Sequence, residues 1–292
     1  MTTHRTALTS AHITAILFGL TGIFGALIHA NASVITFGRA AFAMVALFIF
    51  ALVQRRPIFR ELNRSRIGFF LISGLLLTSH WITFFIAIKV GGVAVATLGF
   101  ASFPAFIALL DVAIFRDRMR FSESVLLILV TAGLVLVTPS FGLGNHGTLG
   151  LLWGLGSGLS FALLAIANRR AAQGVDAVQI AFWQNTTVAV VMIPFSAFSL
   201  VELAAVDWLN LALLGIFCTG LSQYLFVKSL EGMNARSAGM IISLEPIYAI
   251  ACAWWLFNEA PSYRMLAGAS IIVLAIVFSP QGHSGPGKAV AE

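Results

Sequence analysis

Arg39, His80 and Glu245 are ionisable side chains well inside apolar runs, where their chemistry is costly unless it is used. An imidazole can relay a proton or bond a solute, a carboxylate can hold a proton or a cation, and a guanidinium can hold an anion. Polar and aromatic groups accompany them. Ser79 and Trp81 flank His80, while Gln223, Tyr224, Ser243 and Tyr248 lie in later apolar runs. Thr21, Ser157 and Ser160 complete a candidate ring, and Trp81, Phe100, Phe103, Phe161 and Trp183 could stack on an apolar or aromatic solute. Each has a bland alternative. His80 could serve an interhelical hydrogen bond, Glu245 could pair with Arg39 or with donors freed at Pro246, and the serines could bond their own preceding turn.

This is equipment for binding rather than for bond breaking. Gly158-Leu159-Ser160 resembles the start of an intramembrane serine nucleophile, but the one histidine after it is His283, and a serine nucleophile needs a base within hydrogen-bond reach. There is no H-E-x-x-H and no G-x-x-x-x-G-K-[ST] phosphate loop. The reading is therefore no enzyme, no cofactor and no metal, with Cys218 and Cys252 as packing residues. Gly142-Leu143-Gly144-Asn145-His146-Gly147 matches G-x-G-x-x-G literally, yet it lacks the strand and βαβ unit that such a site requires, and it reads as a loop.

The elements that must position these groups are helices in lipid. Hydrophobic residues make up 59% of the chain and charged residues 10%. A bilayer core of roughly 30 Å takes about 20 apolar residues in a helix. Ten such segments can be read: His12–Ala30, Ala32–Val53, Ile67–Ile88, Val93–Phe115, Ser124–Pro139, Leu149–Asn168, Val178–Leu200, Trp208–Ser229, Ser237–Phe257 and Met265–Pro280. Backbone groups in hydrocarbon must be paired within the segment, and consecutive apolar positions exclude the alternation of a barrel, so the fold class is all-α and polytopic. Residues 281–292 read as a disordered cytoplasmic tail.

Charge gives the orientation. Fourteen of the seventeen Lys and Arg fall on one side, in the segments around Arg5, Arg55 to Arg66, Arg116 to Arg120, Arg169 and Arg170, Lys228 and Arg236, and Lys288. By the positive-inside rule both termini are cytoplasmic, in an inner (plasma) membrane. The net charge of +6 is then a topology signal and implies no nucleic-acid partner. Ala30-Asn31-Ala32 imitates a signal cleavage site, but the preceding apolar run is too long for one, so the first segment is expected to be retained.

The chain also repeats itself. Phe226 falls on Phe85 and Gly232 on Gly91 at an offset of 141, and Pro246 falls on Pro104 and Glu259 on Asp117 at an offset of 142. Each copy holds five spans, an odd number, so the second must enter from the opposite side. The expected domains are residues 1–140 and 141–280, two inverted five-helix repeats around a midplane site. Gly19, Gly22 and Gly25, with Gly154 and Gly158, supply close-packing surfaces between helices. Gly22, Gly158, Pro104 and Pro246 are candidate hinge or packing positions.

Ala96-Thr97-Leu98 leading to Pro104 and Phe115-Arg116-Asp117, matched by Ser243-Leu244-Glu245-Pro246 leading to Phe257-Asn258-Glu259, resembles the two EamA repeats of the drug/metabolite transporter superfamily. Arg39 fits too, since that family often has an arginine in its second span. The resemblance covers nearly the whole chain. It departs at Asp117, where the first repeat usually has Glu, and at Gln184, which stands opposite Arg39 in the second copy. It implies a ten-helix carrier that exports metabolites, and the chain is similar within the family to YddG-type exporters of aromatic and other neutral amino acids. The partners expected are a small-molecule solute, the lipid bilayer and protons, in a monomer or homodimer. A multidrug or nucleoside efflux carrier is the alternative, and a channel or receptor subunit is the alternative outside carriers. A lone buried arginine argues against a sugar phosphate, which would take paired cations.

Overall fold

The computed structural model describes residues 4–115, 121–137, 145–171, 175–230, 241–242 and 244–278. Arg116, Asp117, Gly142, Gly232, Arg236, Ser243, His283 and the tail lie outside these. The described chain is helical and contains no strand. In order, the helices are α1 (His4–Leu27), α2 (Ala32–Val53), α3 (Arg64–Phe100), α4 (Phe103–Phe115), α5 (Phe121–Val137), α6 (His146–Ala171), α7 (Ala177–Ser196), α8 (Ala205–Gly215), α9 (Ser222–Leu230), α10 (Glu245–Phe257) and α11 (Tyr263–Phe278). A 3-10 turn, Ala197–Glu202, follows α7, and a π-helical turn, Ile216–Leu221, joins α8 to α9.

Six helical stretches are long and apolar enough to cross a membrane: His4–Leu27, Ala32–Val53, Arg64–Phe100, His146–Asn168, Ala177–Glu202 and Ala205–Phe226. Short polar side chains start several of these helices by occupying their free N–H groups. Asn31 accepts from Val34, Asn63 from Arg66, Asn145 from Gly147 and Asp176 from Val178. Large apolar side chains such as Ile49, Leu52, Ile128, Val190, Phe195 and Trp255 face outward, as a lipid solvent permits.

Two of the expected spans are continuous in α3 and yet run in opposite directions. Gly92 adopts φ +83, ψ 168, a conformation open essentially to glycine alone. On the way in, His80 lies against Ser157 of α6, and an added Cβ at Gly150 would approach the Ala87 carbonyl. At the turn Gly91 abuts Gly150, and on the way out Gly99 abuts Gly154 and Ser102 abuts Gly158. The chain therefore reverses at Gly92 and clasps α6 twice. The first helix begins at His4 rather than His12, because its Thr, Ser and His residues can hold helical hydrogen bonds without being apolar.

Contacts between connections show how the halves are inserted. The α1–α2 connection meets the start of α8, with the His29 N–H donating to Asp207 Oδ1 at 2.8 Å. At the other end, the α2–α3 connection meets the start of α7, where Gln179 Nε2 donates to the Ile58 and Arg60 carbonyls and Arg56 pairs with Asp176 at 3.2 Å. The first connection of one half thus shares an end with the second connection of the other half. That relation defines inverted repeats.

Candidate functional site

Two helices break at matching prolines, and the breaks have the same hydrogen bonds. Around Pro104, Ser102 N donates to Gly99 O, while Ala105 N and Phe106 N both donate to Ser102 O. Around Pro246, Leu244 N donates to Ile241 O, while Ile247 N and Tyr248 N both donate to Leu244 O. Every donor and acceptor in the second set lies 142 residues after its counterpart, the offset at which the prolines align. Proline cannot donate, so each helix tightens into a 3-10 step and restarts. The glycines of the equivalent helices α1 and α6 press on these breaks. A Cβ on Gly19 would lie 3.1 Å from the Glu245 carbonyl, and one on Gly158 would lie 3.1 Å from the Phe100 carbonyl. Gly22 instead faces Val93.

Beside the first break, α3 and α6 hold an imidazole in an aromatic box. His80 Nδ1 lies 2.7 Å from Ser157 Oγ and 3.2 Å from the Ser157 carbonyl. A carbonyl only accepts, so Nδ1 carries the hydrogen and Nε2 is the acceptor of the neutral ring. The Ser157 hydroxyl donates in turn to the His80 carbonyl at 3.1 Å. Phe100 and Phe161 stand 5.0 and 5.1 Å from the imidazole centroid, with Phe84 at 6.2 Å. Phe103 stacks on Phe100 at 5.2 Å. One turn away, Ser79 and Ser160 share a 2.9 Å hydrogen bond, and Ser160 donates on to the Gly156 carbonyl.

The neighbouring side chain, Trp81, turns toward α2. Arg39 Cζ lies 4.1 Å above the Trp81 ring and 5.8 Å from the Phe85 ring, within cation–π range. Arg39 Nε donates to Thr219 Oγ1 at 2.7 Å. Thr219 is fixed by the π-helical turn, where its hydroxyl donates to the Leu214 carbonyl five residues back. Gly38 and Gly215 let α2 and α8 approach closely at this level: an added Cβ on Gly215 would lie 2.7 Å from the Arg39 carbonyl. Glu245, at the start of α10, feels the Arg39 charge, but no carboxylate comes within 4.0 Å of the guanidinium among the described residues. In the second half Gln184 bonds Asn168 at 3.0 Å, so no second guanidinium mirrors Arg39.

The structure thus brings together His80, Trp81, Phe100, Ser157 and Ser160 of the expected ring, with Glu245 and Tyr248 at the second break against Gly19. Thr21 is buried and bonds its own helix at Leu17 O. Gln223 and Tyr224 lie elsewhere. They line a cavity of about 170 Å³ with Phe50, Arg56, Asp176 and Lys228, toward the α2–α3 connection. There the Gln223 Oε1 is buried with no hydrogen-bond partner among the described residues. Trp183 is also at that end, donating to the Ile58 carbonyl. At the opposite end, a polar cleft of about 440 Å³ is lined by His29, Asn31, Lys89 and Glu202 among others. Sequence reading missed Thr219, because its partner Arg39 is 180 residues away and a π turn leaves no periodic signature.

A crystal structure of another protein superposes with a TM-score of 0.65 at 17% identity, covering 94% of this chain and 96% of that one, which shows a shared fold. The chain is 26% identical to the S-adenosylmethionine uptake transporter of Rickettsia bellii, over 84% of this chain and 82% of that protein. It is 24% identical to an uncharacterized transporter of Archaeoglobus fulgidus, over 91% and 93% of the two chains, and 21% identical to one of Bacillus subtilis, over 98% and 93%. The profile of the EamA-like transporter family matches twice, at residues 5–138 and 148–279. With both halves matched, and with helices apolar enough for lipid, this multi-pass membrane protein belongs to the EamA-like transporter family.

Proposed function

We propose that the protein is a ten-span secondary carrier that exports neutral amino acids, including aromatic ones, by alternating access, with both termini in the cytoplasm. The observation that carries this reading is the composition of the interior between the two breaks: an aromatic box at His80, Phe100, Phe103 and Phe161 beside one guanidinium and one carboxylate, Arg39 and Glu245. Such a site suits a small amphipathic zwitterion with an apolar or aromatic group. Glycine contacts at both breaks give each repeat a surface on which to rock, and the cavity and the polar cleft at opposite ends are candidate entrances. The sites assigned to solute are His80, Trp81, Phe100, Ser157, Ser160, Glu245 and Tyr248.

The Rickettsia relatives favour a second reading, uptake of S-adenosylmethionine, which itself carries an amino-acid head group and an aromatic base. Purified protein in liposomes separates the two. Counterflow of labelled L-phenylalanine supports the first reading, exclusive counterflow of S-adenosylmethionine the second, and movement of cationic drugs or nucleosides alone sinks both. An imposed pH gradient that accelerates counterflow adds proton coupling, and indifference to it leaves a facilitated carrier.

A further inference from the structure

We propose that Arg39 is the anchor for a carboxylate group of the transported solute, held in position by Thr219. The inference rests on the reading of the helix interior as the solute path, and it names the chemical group that the path selects.

Arg39 is 5% exposed, two turns into α2. A cation at that depth needs a counter-charge, and neither a cation–π contact nor a single neutral hydrogen bond supplies one. Trp81 covers one face of the guanidinium, and Thr219 occupies Nε. The Thr219 hydroxyl hydrogen is committed to Leu214 O, so toward Arg39 it can only accept. Its role is to fix the plane and rotation of the guanidinium. Among the described residues no hydrogen bond reaches either Nη, and no carboxylate lies within 4.0 Å. What remains is the edge formed by Nη1 and Nη2, two parallel donors whose spacing matches the two oxygens of a carboxylate. Glu245 acts on Arg39 through its charge and makes no ion pair with it within 4.0 Å, so the two charges do not neutralise one another by direct contact. A zwitterion can span them with its carboxylate on Arg39 and its ammonium toward Glu245. A phosphate would be poorly served: Lys89 of α3 is committed to the Ile28 carbonyl at the cleft lined by His29 and Glu202.

The test uses purified full-length protein, with paired probes that differ by one carboxylate: L-phenylalanine against phenethylamine, with phenylacetate as a carboxylate lacking the ammonium. Thermal stabilisation in detergent reads binding without requiring transport. Wild type should be stabilised by L-phenylalanine and phenylacetate and far less by phenethylamine. Arg39→Gln should lose the response to both carboxylates, raising their apparent Kd by about tenfold or more, as expected for a lost bidentate charged hydrogen bond. Thr219→Val should raise Kd while leaving the unliganded melting temperature within a few degrees, and Thr219→Ser should restore affinity.

Equal stabilisation by L-phenylalanine and phenethylamine in wild type overturns the assignment, as does carboxylate binding that survives Arg39→Gln in protein that still elutes as one folded species. If Arg39→Gln does not fold, the wild-type probe comparison decides alone. Carboxylate-dependent stabilisation without counterflow of any amino acid would uphold the anchor and remove the amino-acid transport reading. Counterflow of L-phenylalanine that continues undiminished in folded Arg39→Gln would do the reverse.

Discussion

Gly158 and Gly156 lie two residues apart on α6, and replacing each with alanine isolates what the helix contact at the first break contributes. A Cβ at Gly158 would lie 2.9 Å from Ser102 Oγ, 3.1 Å from the Phe100 carbonyl and 3.4 Å from Phe103 N, whereas a Cβ at Gly156 would meet nothing within 4 Å. Both substitutions gain the same intrinsic helix propensity, about 1 kcal/mol at most. That gain cancels in the comparison. The residual difference is overpacking against two backbone atoms that cannot rotate away, a cost of about 1–3 kcal/mol. Gly156→Ala should therefore melt at or above wild type in detergent, and Gly158→Ala below Gly156→Ala by several degrees. Because the displaced atoms carry Phe100 and the break itself, Gly158→Ala should also slow liposome counterflow more than its yield of folded protein falls. Equal melting temperatures and equal counterflow in the two variants would refute the claim that this contact is tight and that the break is part of the moving machinery.

Gly92→Ala should destabilise the protein by about 1–3 kcal/mol, since an alanine must hold φ +83 and its Cβ would lie 3.3 Å from Glu259 Oε2. A lower unfolding temperature checks it, with Gly68→Ala, which meets nothing within 4 Å, as the comparison. Glu259 lies between α10 and α11, where partial burial raises its carboxyl above the ordinary value although the Val93 N–H donates to it. A raised carboxyl binds its proton more tightly in the folded state, so stability should increase as pH falls from neutral toward about 4.5. Glu259→Gln can still accept from Val93 and should flatten that part of the melting profile. A wild-type profile already flat over this interval would contradict the assignment.

How much of this was legible beforehand depends on whether a feature is carried by chain composition or by close approach. The six long apolar helices, the repeat offset and the two proline breaks follow from apolar length and from residues whose backbone chemistry is unusual wherever they occur. The offset of 142 read from Pro104 and Pro246 reappears in three backbone hydrogen bonds at each break. Ser157 and His80 could each be named as polar groups at membrane depth, but their pairing depends on α3 folding back at Gly92 to clasp α6. Depth alone also grouped Gln223 and Tyr224 with the central candidates, whereas they line the cavity toward the α2–α3 connection, because the ends of an apolar run locate a residue only to within a few positions along its helix. Arg39 stood out as a lone buried cation, yet its meaning depended on Thr219. A π turn adds one residue to the helical cycle and so rotates Thr219 to a face that a regular 3.6-residue period would not assign. The residue that orients the guanidinium is therefore the one that sequence periodicity is least able to find. Irregular helix geometry at Gly92, Ser102, Thr219 and Leu244 is where this chain departs from a plain bundle of apolar rods, and there the polar groups of its interior are brought together.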